Sequence, residues 1–218
     1  MDTSNDIGFY GKLPCRGDFL QRRVPMPFVE VWDAWLQECM HASKEQLQEA
    51  WLDAYLTGPV WRFVLDVGVC GDDSYAGILV PSVDRVGRYF PLTVVARLEA
   101  SRSPLDVACG ASAWFEAAET LVLDALEAEA LDIDVFDESV ARLRELLATE
   151  HSSETSAQSL QRAINVFAYR EMSRELKPLT VWWTEGSQTL PASCFTLRGF
   201  PEARAFAAML SDHPTPEG

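Results

Sequence analysis

The chain contains 218 residues with a net charge of −15, and its 48% hydrophobic and 23% charged residues are typical of a globular protein of one large or two small domains. The negative charge repels nucleic-acid phosphates and anionic lipids, so we expect neither class of partner. No apolar run approaches the roughly 20 residues that cross a bilayer, and the polar, acidic N-terminus does not resemble a signal peptide, so we expect no membrane insertion. Five scattered cysteines, an odd number, indicate a reducing compartment, and we therefore expect a cytoplasmic protein.

The negative charge is concentrated in the middle of the chain. Residues 99–150 carry 13 acidic and 3 basic side chains, a balance of −10. Such a segment either docks a basic protein surface or forms a solvated helical face that aids solubility, and the composition favours the solvated face.

The first half of the chain predicts short strands and two helices. Apolar side chains at helical spacing predict a first helix at residues 28–40. Ser43 and Gln46 have the spacing of a capping box, which predicts that a second helix begins there and ends before Gly58. Alternating apolar and polar side chains at residues 61–67 predict a strand that is buried on one face. Further strands are predicted at residues 7–12, 76–80 and 92–98.

The second half predicts mainly helices, followed by a hairpin. Pro104 fits the first turn of a helix. Further helices are predicted at residues 113–125, 136–147, 160–172 and 201–210. Residues 179–184 and 193–197 predict the two strands of the hairpin.

These elements predict a single α/β domain of α+β-like character over residues 1–218. Its centre is a mixed, largely antiparallel sheet covered by helices. The strand-rich core comprises residues 7–98 and 179–197, and residues 104–177 form a helical, acidic segment.

Motifs for catalysis or metal binding are weak. Gly8, Gly11 and Lys12 suggest a phosphate-binding loop, but the spacing is too short and Leu13 replaces the required hydroxyl residue. The three histidines lie far apart in polar segments, so we expect no metal and no cofactor. Cys15 lies beside Lys12 and Arg16, whose charges would lower its thiol pKa.

Two blocks rich in glycine, proline, charge and aromatic residues, at 8–19 and 81–91, fit neither a helical nor a strand repeat. Such segments usually present polar groups for recognition. Their charges have two interpretations: ion pairs that fix the loops, or a basic and polar patch that binds a partner. The candidate residues are Lys12, Arg16, Asp18, Asp84, Arg85 and Arg88.

The order of several motifs resembles the type VI secretion-associated TagF (ImpM) family. The motifs are Gly11-Lys-Leu-Pro14, Gly17-Asp-Phe19, Trp32-Asp-Ala-Trp-Leu36, Trp61-Arg-Phe63, and Pro81-Ser-Val-Asp-Arg-Val-Gly-Arg88 with Tyr89-Phe-Pro-Leu92. The resemblance implies a non-enzymatic, post-translational repressor of type VI secretion. It implies binding to a cytoplasmic forkhead-associated scaffold protein, which blocks assembly of the secretion apparatus.

Two alternatives remain open from the residues. One is an enzyme of an unrecognised class that uses Cys15 or the group of Asp84, Arg85 and Arg88. The other is a sensor of a small ligand that controls a partner.

Overall fold

One sheet forms the centre of the protein, and seven of its strands lie in the residues that the structure describes. The computed structural model describes residues 7–98, 104–149 and 178–212. The strands are β1 (Ile7–Gly11), β2 (Leu20–Arg22), β3 (Trp61–Leu65), β4 (Ser74–Val80), β5 (Leu92–Leu98), β6 (Leu179–Thr184) and β7 (Ser193–Arg198). They lie in the order β2-β1-β5-β4-β3-β6-β7. Every pairing between these described strands is antiparallel, which confirms the predicted fold class without a parallel component.

Helices cover both faces of this sheet. They are α1 (Met26–Leu47), α2 (Trp51–Leu56), α3 (Pro104–Gly110), α4 (Ser112–Glu127), α5 (Ile133–Arg142), α6 (Arg144–Thr149) and α7 (Phe206–Leu210). Short 3₁₀ turns at Gln48–Ala50 and Ala203–Ala205 precede α2 and α7. In the ranges described, no helix combines the length and the apolar character needed to cross a bilayer.

The two layers of helices create two hydrophobic cores. Helices α1, α2 and α7 bury one face of the sheet around aromatic rings, where the ring centroid of Trp32 lies 4.7 Å from that of Phe63. Helices α3 to α6 bury the other face, with Phe115 and Val64 among the side chains removed from water. Because side chains alternate along a strand, the consecutive residues Phe63 and Val64 belong to different cores.

The two-sided coverage corrects the prediction for β3. All five of its residues are buried, although the alternating pattern predicted one solvated face. Arg62 is the polar residue of that pattern that lies within β3, and its guanidinium is paired with Glu119 at 2.7 Å and Glu185 at 3.1 Å. A paired arginine can therefore occupy a position that the sequence pattern assigns to solvent.

The predicted helix start at Ser43 is also wrong. Helix α1 continues to Leu47, and the chain turns at Gln48, whose φ is +50°. The buried Ser43 hydroxyl donates to the Met40 carbonyl and accepts from the Trp51 indole N–H at 3.0 Å. Ser43 thus joins two helical segments instead of capping the second.

Three smaller differences concern element boundaries. The strand β2 was not predicted, because three residues are too short to show an alternating pattern. The helix predicted at 136–147 is interrupted at Leu143 between α5 and α6. The helix predicted at 160–172, and with it the later part of the predicted helical segment, lies outside the described residues.

Candidate functional site

The two glycine-rich blocks meet at one end of the sheet. The first block leaves β1 at Gly11, and the second connects β4 to β5, the strand that pairs with β1. Gly11 has a φ of +135°, and a Cβ atom at this position would collide with the Pro91 carbonyl oxygen. Glycine therefore permits the close approach of the two blocks. We call residues 12–19 and 82–90 together the loop platform.

The carboxylate of Asp84 is the centre of the loop platform. Its Oδ2 accepts from Lys12 Nζ at 2.8 Å and from Arg88 Nε at 2.7 Å. Its Oδ1 accepts from the backbone N–H groups of Val86 and Arg88, each at 2.9 Å. The Asp84 side chain is fully removed from solvent, and Lys12 is 5% exposed. Ionic hydrogen bonds in such a shielded place hold both blocks in one geometry.

The environment of Asp84 controls its ionisation. Burial alone would raise the pKa of this carboxyl group, but hydrogen bonds from Lys12, Arg88 and the backbone lower the pKa well below its ordinary value of 3.8. Asp84 is thus a stable anion at neutral pH and a poor proton acceptor.

Backbone contacts join the tips of the two blocks. The Arg85 N–H donates to the Arg16 carbonyl at 3.0 Å. The Arg88 guanidinium donates to the Gly17 carbonyl. Val83 and Tyr89 form a β-bridge, and Gly87 supplies the positive φ of +83° that the turn between them requires. The tips are therefore held together independently of the exposed side chains of Arg16, Asp18 and Arg85.

The outer side of the loop platform is basic and partly apolar. Arg16, Asp18 and Arg85 are exposed, and within the described residues their side chains have no ion-pair partner. The Arg88 side chain is 59% exposed in spite of its bond to Asp84. Two apolar side chains, Phe19 and Val86, are also exposed, at 48% and 64%.

The six predicted residues thus divide into two groups by role. Three of them fix the loops: Lys12 and Asp84, which are buried, and Arg88, which remains exposed. The other three, Arg16, Asp18 and Arg85, face solvent. Sequence reasoning missed Phe19 and Val86. An aromatic residue within a polar loop was the available signal for Phe19, which lies beside Lys12 Nζ at 5.1 Å from the ring centroid.

The comparison with family models identifies the family to which the chain belongs. Residues 8–143 match the model of the TagF N-terminal domain, described as type VI secretion system-associated. This chain belongs to the TagF family. Both blocks of the loop platform lie inside the matched residues.

A solved structure is similar to this chain over a longer range than the family model. The crystal structure of PA0076 from Pseudomonas aeruginosa PAO1 is 38% identical and superposes with a TM-score of 0.78. The similarity covers 95% of each chain. No curated protein sequence matches this chain.

In this TagF-family chain, Cys15 is not activated in the way that the sequence suggested. Burial raises the pKa of the Cys15 thiol, and a backbone hydrogen bond and the nearby Arg16 charge offset this only in part. The predicted net lowering of this pKa is therefore wrong, because desolvation is the larger effect. Cys39 and Cys70 are buried, and burial raises the pKa of Cys70 to about 12.

Proposed function

We propose that this TagF-family protein represses type VI secretion after translation. It does so in the cytoplasm, without catalysis, by binding a forkhead-associated scaffold protein and occupying a surface that apparatus assembly requires. The observation that carries the proposal is the loop platform, in which a buried ion pair fixes a basic outer surface that includes Arg16 and Arg85.

The charge of the loop platform favours an acidic partner surface. Its six charged side chains comprise four cations and two carboxylates, which leaves +2 on a protein of net charge −15. Complementary charge guides two proteins into the correct orientation and increases the association rate. Arginine is also enriched among residues that dominate binding energy, because its planar guanidinium forms several directed hydrogen bonds.

The rigidity of the loop platform favours binding over chemistry. A surface that is ordered before the partner arrives loses less conformational entropy on binding. In contrast, the lowered pKa of Asp84 and the raised pKa of Cys15 both oppose proton abstraction or nucleophilic attack at neutral pH. Asp84 and Cys15 are the residues that the enzyme alternative would use, and the directions of their pKa shifts favour binding over catalysis.

The direct test is the affinity for the cognate forkhead-associated scaffold protein, measured by isothermal titration calorimetry. The variant Arg16→Glu/Arg85→Glu reverses two exposed charges that hold no ion pair among the described residues, so the fold should persist. We expect the dissociation constant to rise about 10-fold or more, since like charges at an interface weaken binding.

The matched control reverses two exposed arginines elsewhere that also hold no ion pair among the described residues, Arg144→Glu/Arg204→Glu. It changes the net charge equally and should leave the affinity within about twofold at physiological salt, where distant charges are screened. Equal losses in both variants, or unchanged affinity in both, would exclude the loop platform as the binding surface. Absence of any binding by the wild type would exclude the scaffold as the partner.

A further inference from the structure

A pocket lined by charges of both signs lies beside the loop platform. It has a volume of about 530 Å³ and lies between the β1–β2 segment and the start of α5. Four charged residues line it, Arg16 and Arg22 from the β1–β2 segment and Asp132 and Asp134 from the α5 side. We call it the charged pocket. Because Arg16 also belongs to the loop platform, the two surfaces are continuous.

The walls of the charged pocket are fixed by contacts behind them. The Phe136 ring of α5 packs edge-on against Phe9 of β1, with 5.0 Å between the ring centroids. The guanidinium of Arg23, the residue after β2, pairs with the Asp137 carboxylate at 2.8 Å and donates to the Asp137 carbonyl at 3.0 Å. These contacts hold the start of α5 against β1 and β2, so the pocket is formed before a partner arrives.

The opposite charges of the pocket do not neutralise one another. None of the four residues forms a salt bridge with another described residue. The Arg22 guanidinium donates to the adjacent Gln21 carbonyl at 3.1 Å, which leaves its charge unpaired. Charges that face one space without pairing are available to ionic groups that enter it.

The N–H groups at the start of α5 are already used. Asp132 Oδ1 accepts from the backbone N–H of Asp134 at 2.9 Å and from that of Val135 at 3.3 Å. The helix end therefore does not offer these groups to an anion. An anion in the pocket has to bind the two arginines, and a cation has to bind the Asp134 carboxylate, which accepts no hydrogen bond from the described part of the chain.

We propose that the charged pocket binds two neighbouring side chains of opposite charge from the protein partner of the loop platform. A carboxylate of the partner pairs with Arg16 and Arg22, whose planar guanidinium groups form paired hydrogen bonds with such an anion. A lysine or arginine close to this carboxylate pairs with Asp134. The inference rests on the proposed function, because it assigns a further contact to the same partner.

A purely acidic partner surface does not fit this pocket. A carboxylate that reaches Arg16 and Arg22 also approaches Asp132 and Asp134, and like charges at short range oppose binding. A basic side chain beside the carboxylate replaces this repulsion with an ion pair. The two cations and two anions of the lining sum to zero, so a neutral pair of side chains complements them.

The exposure of the lining favours a protein segment over a small zwitterionic molecule. All four charged residues are exposed. Sites for small molecules enclose most of the ligand, roughly 70–90% of its surface, and exposed walls do not provide such an enclosure. A partner that is already bound to the loop platform needs little additional affinity, because the first contact raises the effective concentration for the second.

The direction of the effect at Asp134 tests the proposal. Isothermal titration calorimetry with the cognate forkhead-associated scaffold protein compares Asp134→Lys with the wild type. We expect about fivefold weaker binding, because the basic group of the partner loses its anion. A partner that is only acidic would bind this less negative variant more tightly. Asp124→Lys, at an exposed position of α4, makes the same change of charge and should not weaken binding.

Two further variants separate charge from stability. A lysine in the first turn of a helix is unfavourable, so Asp134→Asn and its control Asp124→Asn repeat the comparison without a new cation. Melting temperatures verify that these variants fold. The charge swap Arg16→Asp/Asp134→Arg retains the net charge of −15 and should bind more weakly than Arg16→Asp alone. An acidic partner would show the reverse order, because the swap restores a cation.

The two proposals can fail separately. If Arg16→Glu/Arg85→Glu weakens scaffold binding while neither Asp134 variant does, the loop platform keeps its role and the proposal for the charged pocket is overturned. If the scaffold does not bind, or binds without dependence on the loop platform, the proposed function fails and a titration with peptides decides the pocket.

The peptide titration requires no scaffold. Acetyl-Glu-Lys-amide, acetyl-Glu-Glu-amide and acetyl-Lys-Lys-amide are added at millimolar concentration to the isotope-labelled chain, and amide chemical shifts are recorded. We expect the mixed-charge peptide to shift the amides of residues 131–135 more than either like-charged peptide, and Asp134→Asn to abolish the difference. Equal shifts with all three peptides, or none with any, would overturn the proposal.

Discussion

Lys12 and Asp84 are 72 positions apart in the chain, yet Lys12 Nζ lies 2.8 Å from Asp84 Oδ2 in a pair that is nearly inaccessible to water. The Lys12 backbone is held at the same place, because the Ser82 hydroxyl donates to its carbonyl at 2.7 Å. The pair therefore links the end of β1 to the β4–β5 connection and determines the shape of the loop platform.

Breaking this pair from one side should destabilise the protein. Lys12→Met preserves the length of the side chain but leaves the buried Asp84 carboxylate with one cationic partner fewer. We expect the melting temperature to fall by about 5–10 °C, because an uncompensated buried charge is unfavourable. The double variant Lys12→Met/Asp84→Asn should recover part of the loss in differential scanning calorimetry. An additive loss in the double variant would contradict the coupling of the two residues.

The stability should depend on pH through Asp84. The folded state lowers the pKa of this group from 3.8, so the unfolded state binds the proton more readily. The contribution is fully present above pH 4 and is lost as the pH falls below 4 towards the folded pKa. Chemical denaturation at several pH values should show a steeper decline below pH 4 for the wild type than for Asp84→Asn. Parallel profiles would show that other carboxyl groups determine the acid sensitivity.

Gly77 should be intolerant of a side chain. It lies in the middle of β4, and a Cβ atom there would lie 2.7 Å from the Val94 carbonyl oxygen and would collide with the Phe63 ring. We expect Gly77→Ala to lower the free energy of unfolding by roughly 1–3 kcal/mol, measured by urea denaturation. Gly110→Ala is the control, since a Cβ at Gly110 meets nothing within 4 Å, and its effect should be small or stabilising.

The hydrogen bond from Trp32 Nε1 to Thr93 Oγ1, 2.8 Å long, crosses the first core. Both residues are fully buried. Thr93→Val keeps the shape but leaves the indole N–H without an acceptor, so the free energy of unfolding should fall by about 1–3 kcal/mol. Thr120→Val removes an exposed hydroxyl from α4 and should change the free energy of unfolding much less. A similar loss for both threonines in urea titrations would indicate a general cost of valine at these positions.

Thiol reactivity should follow burial. Cys109 and Cys194 are exposed, whereas Cys39 and Cys70 are buried with raised pKa values. With Ellman's reagent at pH 8, the native protein should show two fast thiols, and Cys15 should react more slowly because its pKa is raised by partial burial. Cys15→Ser should leave the fast phase unchanged. Loss of a fast thiol in that variant would identify Cys15 as an activated nucleophile.

The sequence predicted local features of this fold better than distant pairings. Residues 92–98 were predicted as a strand and form β5 with those bounds, because a short apolar run between turn residues is a local signal. The pairing of Lys12 with Asp84 depends on the position of β1 beside β5, which no local spacing reveals. The two blocks identified all six candidate residues, but the sequence did not predict which of them are buried and which are exposed.

An apolar groove lined by Trp61, Phe195 and Met209, among others, could not be predicted for a similar reason. Phe195 lies on β7, Trp61 on β3 and Met209 on α7, so the surface exists only after the sheet and the last helix have assembled. Each of these residues has the pattern of an ordinary core position when the sequence is read alone.

The helices α3 to α6 all cover one face of the sheet, and they lie in the segment that carries two thirds of the net negative charge. The basic loop platform borders this layer, since Arg16 lines the same pocket as Asp132 and Asp134 at the start of α5. Charges of opposite sign therefore lie side by side on this part of the surface. An approaching acidic surface is attracted by the loop platform and repelled by the neighbouring helix, which restricts the orientations in which it can dock. Salt screens this discrimination at separations beyond one Debye length, roughly 8 Å at physiological ionic strength.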